Sequence, residues 1–187
     1  MNIWLTSDTH FCHDRGFVYT PRGFDNIEDM NEAIVERWNS VVQPDDLVYH
    51  LGDVMLNDNE RGMEFLKRLN GRICLLRGNH DTDTRMALYQ ESPNVFDCGD
   101  WAKVIKYGKY HFYLSHYPTN TSNLENMAPL SQHCINLYGH THQQTNFYND
   151  IPYMYHVGMD SHDCYPVNIE QVLADIRVKV EECKEML

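Results

Sequence analysis

Long apolar runs are missing from this 187-residue chain. None exceeds four residues, as in Ile73 to Leu76, against the ~20 needed to span a bilayer, so no membrane-spanning segment is expected. The first residues, Met1-Asn2-Ile3-Trp4-Leu5-Thr6-Ser7-Asp8, lack a basic stretch followed by an apolar core and do not read as a secretory leader. A cytoplasmic protein is the expectation. Basic residues are also scarce, 15 Lys and Arg against 27 Asp and Glu, a formal charge of -12. A surface of that sign repels long nucleic acids and anionic membranes, although screening over about 8 Å leaves room for a local cationic site. Paired cysteines are absent too. The six, Cys12, Cys74, Cys98, Cys134, Cys164 and Cys183, form no C-x-x-C and read as reduced thiols, Cys74 and Cys134 as small hydrophobes inside apolar runs and Cys12 set apart by its place beside Asp8-Thr9-His10. No Ser/Gly/Pro-rich linker, repeat or low-complexity tract divides the sequence, which therefore reads as one domain over residues 1–187.

What is present is a clear patterning. Ile3 to Leu5 reads as a buried strand. Asp25-x-x-Glu28 resembles a capping box opening a helix whose apolar positions are Ile27, Met30, Ile34 and Trp38. Leu47 to Leu51 and Ile73 to Leu76 read as strands, separated by a short helix over Met63 to Leu69 that stops near Asn70-Gly71. This alternation predicts a parallel α/β beginning. The second half differs, with aromatic-rich strands at Trp101 to Tyr107, Tyr110 to Leu114, Cys134 to Tyr138 and Tyr153 to Val157. Gly108-Lys109 reads as a hairpin turn. Asn168-x-x-Gln171 opens a last helix with the stripe Ile169, Val172, Leu173, Ile176 and Val180.

Chemistry-bearing residues stand at the strand ends. The successive runs lead into Asp8-Thr9-His10, Gly52-Asp53, Gly78-Asn79-His80-Asp81, His116 and Gly139-His140-Thr141-His142. Ligands of α/β sheets bind beyond the carboxyl ends of strands, so these segments, spread over some 130 residues, can converge on one site. Taken singly, Asp8 or Asp53 reads as a cap or turn residue and His116 as a core histidine; taken in order, the five segments read as a metal centre.

The order D-x-H, G-D, G-N-H-D, H, G-H-x-H resembles the signature of the calcineurin-like metallophosphoesterases over residues 8–142. Ser7 to Phe11, Leu75 to Asp81 and Ser115 to Pro118 are similar to short bacterial and phage members. The resemblance implies an α/β fold of two facing mixed β-sheets flanked by helices, a four-layer α/β/β/α sandwich. It also implies two divalent metals, one held by Asp8, His10 and His142, the other by Asn79, His116 and His140, with Asp53 bridging. An all-nitrogen-and-oxygen ligand set suits Mn, Fe, Zn, Co or Ni, with Mn or Fe favoured. The implied reaction is hydrolysis of a phosphate ester by a metal-bridging hydroxide. His80 would stabilise the transition state or protonate the leaving oxygen, and Asp81 would either orient His80 or cap a helix starting near Thr82.

Outside the signature, His13, Arg15 and Arg22 are candidates for a substrate wall, since arginine forks match phosphate oxygens. Tyr117, Asn120 and Asn123 are candidates for the opposite wall. His50, His111, His133, His156 and His162 read as structural, and Asp160 as a turn anchor. The expected partner is a small phosphorylated substrate, a diester favoured over a monoester. A nuclease acting on short nucleic acid or nucleotides is the alternative; a non-catalytic scaffold fits less well because His80 and every ligand position are occupied.

Overall fold

A computed structural model describes residues 1–121 and 129–185. The first sheet has the order β4-β3-β2-β1-β9, built from β1 (Ile3–Thr6), β2 (Leu47–His50), β3 (Arg72–Leu75), β4 (Val95–Cys98) and β9 (Val167–Asn168). Its first four strands run parallel, and β9 joins β1 antiparallel. The second sheet, β5-β6-β7-β8, comprises β5 (Ala102–Tyr107), β6 (Tyr110–Ser115), β7 (Cys134–Tyr138) and β8 (Met154–His156). Only its β5–β6 pair is antiparallel. That pair closes around Gly108-Lys109, with Tyr107 opposite Tyr110 and Gly108 at φ 58°, the two-residue turn expected from the sequence. Two mixed sheets with flanking helices are what the resemblance implied.

Side-chain alternation along the strands assigns the two faces of the first sheet. Val48, Ile73 and Leu75 pack with Met30, Ile34 and Trp38 of α2 (Ile27–Val41), Phe65 and Leu66 of α3 (Asn59–Lys67) and Met86 of α4 (Asp83–Gln90). Leu5, Leu51 and Leu76 face the other way. They share a core with Phe112, Leu114, Ile135, Leu137 and Tyr155 of the second sheet and with Val172, Leu173 and Ile176 of α5 (Ile169–Glu185). Each stripe is apolar because it is buried against a partner sheet or helix.

Several boundaries differ from the sequence reading. Asn26, not Asp25, caps α2: its backbone is extended and its Oδ1 accepts from the Asp29 N–H at 2.9 Å. The acidic residues of that first turn still suit the helix dipole. α3 starts at Asn59 because Asp58 accepts from the Arg61 N–H. Strands β4 and β9 and the single-turn helix α1 (Gly16–Tyr19) were not foreseen; two to four residues carry too little periodicity to register. Among the described residues no helix is long and apolar enough to cross a membrane.

Candidate metal centre

The loops beyond β1, β2, β3, β6 and β7 meet at one edge of the two sheets. Their backbone is unusual: Asp8 (φ 60°), His10 (50°), Asp53 (58°), His140 (67°) and His142 (49°) all lie in the left-handed region. Such conformations cost a non-glycine residue roughly 1 kcal/mol or more each, and they concentrate at functional sites. Hydrogen bonds between loops fix them. The Asp8 N–H donates to Gly52 O at 3.0 Å and the His10 N–H to Asp53 O at 3.1 Å. Two glycines permit the close approach. A Cβ on Gly52 would lie 2.6 Å from the Cα of Gly78, and one on Gly139 would run into Ser7 Oγ and Asp8 Oδ2.

All seven residues of the expected ligand set come together. His10 Nε2 lies 3.6 Å from Asp8 Oδ1 and 3.7 Å from Asp53 Oδ2, and His142 Nε2 lies 3.9 Å from Asp8 Oδ1. On the other side His116 Nε2 is 3.4 Å from Asp53 Oδ2. Asn79 Oδ1 sits 2.8 Å from both His116 Nε2 and His140 Nδ1. Asp53 Oδ2 thus stands between the two groups of imidazoles. The carboxylate–imidazole separations exceed hydrogen-bonding range, as they do when side chains aim at a common third partner. The side chains of Asp8, His10 and His142, and those of Asp8, Asp53 and His116, each bring ligand atoms within 4.8 Å of one another.

A divalent cation fits this arrangement on two counts. Asp8 Oδ1 and His10 Nε2 are fully buried with no hydrogen-bond partner; leaving such atoms unsatisfied costs ~1–3 kcal/mol each, and a cation would satisfy both. The histidine tautomers are also set. The Leu51 carbonyl, 2.9 Å from His116 Nδ1, and the Asp160 carboxylate, 2.9 Å from His142 Nδ1, can only accept, so each Nδ1 carries the proton and each Nε2 lone pair faces inward. Protonation divides the site. Burial lowers the pKa of His116 and His142, but hydrogen bonds and charge from Asp53, Asp160 and Asp8 outweigh it and raise both, so a cation binding there displaces a proton. Burial raises the Asp8 pKa, but the surrounding imidazoles of His10, His116 and His142 outweigh it and hold the carboxyl well below its ordinary range. The same balance, led by His116, keeps Asp53 low, while burial lowers the pKa of His10 and keeps it neutral. Cys12, two residues past His10, lies instead in the apolar core with Asn31 Nδ2 4.0 Å from its sulfur, and burial pushes its thiol up to about 11.

The structure separates the remaining expected residues. His80 stands at the rim with its side chain 41% exposed, Nε2 3.9 Å from Asp53 Oδ2 and its own N–H on Asp53 Oδ1 at 2.8 Å. Asp81, expected to orient His80 or to cap a helix, does neither. Its buried carboxylate accepts from the N–H groups of Asp53 (2.7 Å), Gly78 (2.9 Å) and Val54 (3.3 Å) and from the Tyr89 hydroxyl (2.9 Å). It clamps the Asp53 loop to the Asn79 loop, and Thr82 caps α4. Arg22, expected on the substrate wall, turns inward: its side chain is 1% exposed and forks onto Asp160 at 3.0 and 2.8 Å. A guanidinium buried among acceptors forgoes substrate for a fixed anion. Arg15 stays exposed ahead of α1. His13 is buried beside His10, with their Nδ1 atoms 3.3 Å apart. Tyr117 is half exposed and sets its ring edge-on to His140, centroids 4.6 Å apart. Asn120 is exposed in the same loop, and Asn123 lies outside the described residues.

Sequence reasoning undervalued the supports of the site. His50 receives the Gly52 N–H at 3.2 Å and lies 3.0 Å from the Thr9 hydroxyl, bracing the loops of Asp8 and Asp53. Asp160 holds His142. Its available signal was position, an acidic residue just past β8 and the Val157-Gly158 turn, the same kind of place that supplies the other site residues.

Residues 1–159 match the calcineurin-like phosphoesterase superfamily domain. An uncharacterised protein of Methanocaldococcus jannaschii is 34% identical over 157 residues, covering 81% of this chain and 74% of that protein. The gene 66 protein of Mycobacterium phage D29 is 29% identical over 203 residues, covering 94% and 97% of the two chains. Among solved structures, a protein of unknown function from Aquifex aeolicus has the same fold, with a TM-score of 0.69 at 24% identity over 92% of this chain and 98% of the other. The domain match runs through every strand-end motif from Asp8 to His142, and this chain belongs to the calcineurin-like phosphoesterase superfamily.

Proposed function

We propose that the protein hydrolyses a small phosphate diester at a two-metal centre held by Asp8, His10 and His142 on one side, Asn79, His116 and His140 on the other, with Asp53 shared between them. The observation that carries this reading is the pair of buried, unpartnered atoms, Asp8 Oδ1 and His10 Nε2, at the centre of a converging nitrogen and oxygen donor set. When bound, two divalent cations supply positive charge for the phosphoryl oxygens and lower the pKa of a bound water toward ~7. The chain's own residues do the rest. Asp8 and Asp53 stay ionised and His10 neutral, as ligands must. His80, exposed at the rim on the Asp53 side, is placed to hand a proton to the departing ester oxygen or to donate a hydrogen bond to it.

Charge at the mouth favours a diester over a monoester. The arginines that could answer the second negative charge of a monoester are engaged. Arg22 forks onto Asp160; Arg77 holds Asp83 and the Asp81 carbonyl; Arg85 holds Asn59 and the His80 carbonyl. Arg15, two residues past His13, stays exposed and is the candidate to meet a single charge. The test is to strip the protein of metal, restore Mn, Fe, Co, Ni or Zn separately, and assay bis-p-nitrophenyl phosphate against p-nitrophenyl phosphate. Higher kcat/KM on the bis ester is expected with at least one metal. Faster monoester cleavage would overturn the diester preference, and silence toward both esters with every metal would overturn the phosphoesterase reading.

A further inference from the structure

Arg22 and Asp160 are far apart in sequence and do not line the open site, yet they form a forked, buried ion pair beside it. The guanidinium forks across both carboxylate oxygens, Nε to Oδ1 at 3.0 Å and Nη2 to Oδ2 at 2.8 Å, over 138 residues of sequence. Both side chains are nearly inaccessible, 1% and 3% exposed. Each has a second task. Arg22 Nη2 donates to the Asp8 carbonyl at 2.8 Å, and Nη1 reaches the Thr9 carbonyl at 3.4 Å. Asp160 Oδ2 takes the Nδ1 proton of His142 at 2.9 Å. The pair therefore grips one side of the centre twice, through the backbone of Asp8 and through the ring of His142.

The other side has no such support. His116 Nδ1 rests on a neutral backbone carbonyl, that of Leu51 at 2.9 Å, and His140 turns its Nδ1 inward to Asn79 Oδ1, a ligand of the same side, with no carboxylate within hydrogen-bonding distance of its ring among the described residues. A carboxylate behind an imidazole raises the basicity of its free nitrogen and fixes the ring, and losing such a partner typically weakens metal affinity 10–100-fold.

From this asymmetry we propose that Arg22 and Asp160 are positioning residues that set the metal affinity of the Asp8–His10–His142 side alone. The proposal rests on the ligand assignment above. Arg22 neutralises a carboxylate that would otherwise add another buried negative charge to those of Asp8, Asp53 and Asp81. It also ties the short 3₁₀ turn Thr20–Arg22 to the loop after β8, so that two distant segments close on the same imidazole.

The test is calorimetric titration of the metal-free full chain with Mn²⁺. The unaltered protein is expected to take up two ions. In Asp160→Asn one of the two binding steps should weaken 10–100-fold while the other keeps its affinity. Because that change leaves a buried guanidinium without its counter-ion, the double variant Arg22→Met with Asp160→Asn is run beside it. It removes both charges and should fold cooperatively with the same one-step loss. Coupling gives the decisive readout. In a His142→Ala background, Asp160→Asn should weaken that step much less than it does alone, since only the path through Arg22 and the Asp8 carbonyl remains. An equal loss at both steps, no loss in a folded variant, or a full additional loss on top of His142→Ala would each overturn the proposal. If the unaltered chain takes up no Mn²⁺, the ligand assignment fails, and the proposal with it.

Discussion

Replacing His80 by alanine isolates one chemical role, because the backbone of residue 80 does separate work. Its N–H donates to Asp53 Oδ1 at 2.8 Å, and alanine keeps that hydrogen bond. The lost imidazole is 41% exposed, and its Nε2, 3.9 Å from Asp53 Oδ2, makes no hydrogen bond there, so fold and metal content should change little. Its removal should show in kcat. A positioned proton donor is worth about 10² to 10⁴-fold, or roughly 3–5 kcal/mol of activation free energy. The size of the loss should depend on the leaving group. p-Nitrophenolate departs readily without a proton, so bis-p-nitrophenyl phosphate should sit near the hundredfold end; a diester losing an alkoxide needs the proton and should sit nearer the ten-thousandfold end. Steady-state kinetics on both substrates, with metal content measured on the same samples, makes the comparison. Equal losses on the two esters would refute proton donation and leave only electrostatic support of the transition state. Undiminished turnover would remove His80 from the mechanism.

Other perturbations probe the scaffold. Gly139→Ala pushes a methyl group into Ser7 Oγ and Asp8 Oδ2; a stability loss of about 1–3 kcal/mol and less than two equivalents of bound metal are expected, and unchanged values on both counts would contradict the packing. Removing metal with a chelator should lower Tm, because a ligand held at a hundred times its Kd adds about 2.7 kcal/mol to folding, roughly 5–10 °C for a chain of this size; a melt indifferent to the chelator would contradict metal uptake. Asp46 lies far from the site. Burial raises its pKa, but the N–H groups of Asn2, Trp4 and Gln43 pull it down to about 2. A depressed carboxyl contributes stability above its unfolded pKa of about 3.9 and loses it as pH falls toward the folded value. Asp46→Asn should therefore cost about 1–3 kcal/mol at pH 7. Denaturant titrations of the metal-free proteins should show that gap closing between pH 4 and pH 2; a gap that stays constant would refute the assignment.

The strand-end motifs were legible because all but the lone His116 pack their information into two to four neighbouring residues. Asp8-x-His10 and His140-x-His142 announce themselves locally, and the convergence of strand ends supplies the rest. What could not be read depends on distant partners. Asp81 stands next to His80 in sequence, yet its carboxylate belongs to backbone amides on another loop and to Tyr89. Arg22 looked like a phosphate ligand because an arginine in a loop near a metal motif has no visible anion; Asp160, 138 residues away, is that anion. The cap of α2 moved by one residue because Asp25 and Asn26 are both good caps and only backbone conformation distinguishes them.

The scarcity of basic residues in the sequence acquires a physical reason at the site. Asp8, His10, Asp53, His140 and His142 are held in left-handed backbone conformations, and two buried carboxylates lie in one cluster. Without counter-charge that arrangement is costly in both strain and electrostatics. Among the described residues Arg22 is a buried cation nearby, and it is already bound to Asp160. Two divalent ions would bring four positive charges against the two carboxylates, leaving a net positive site inside a protein of formal charge -12. Lysines or arginines crowded into the mouth would repel those ions and compete for Asp8 and Asp53. The arginines near the rim are instead turned onto Asp83, Asn59 and backbone carbonyls. If bound cations recognise the phosphate, as proposed above, basic side chains around the site are dispensable, and an acidic exterior then disfavours long polyanions over a small, singly charged ester.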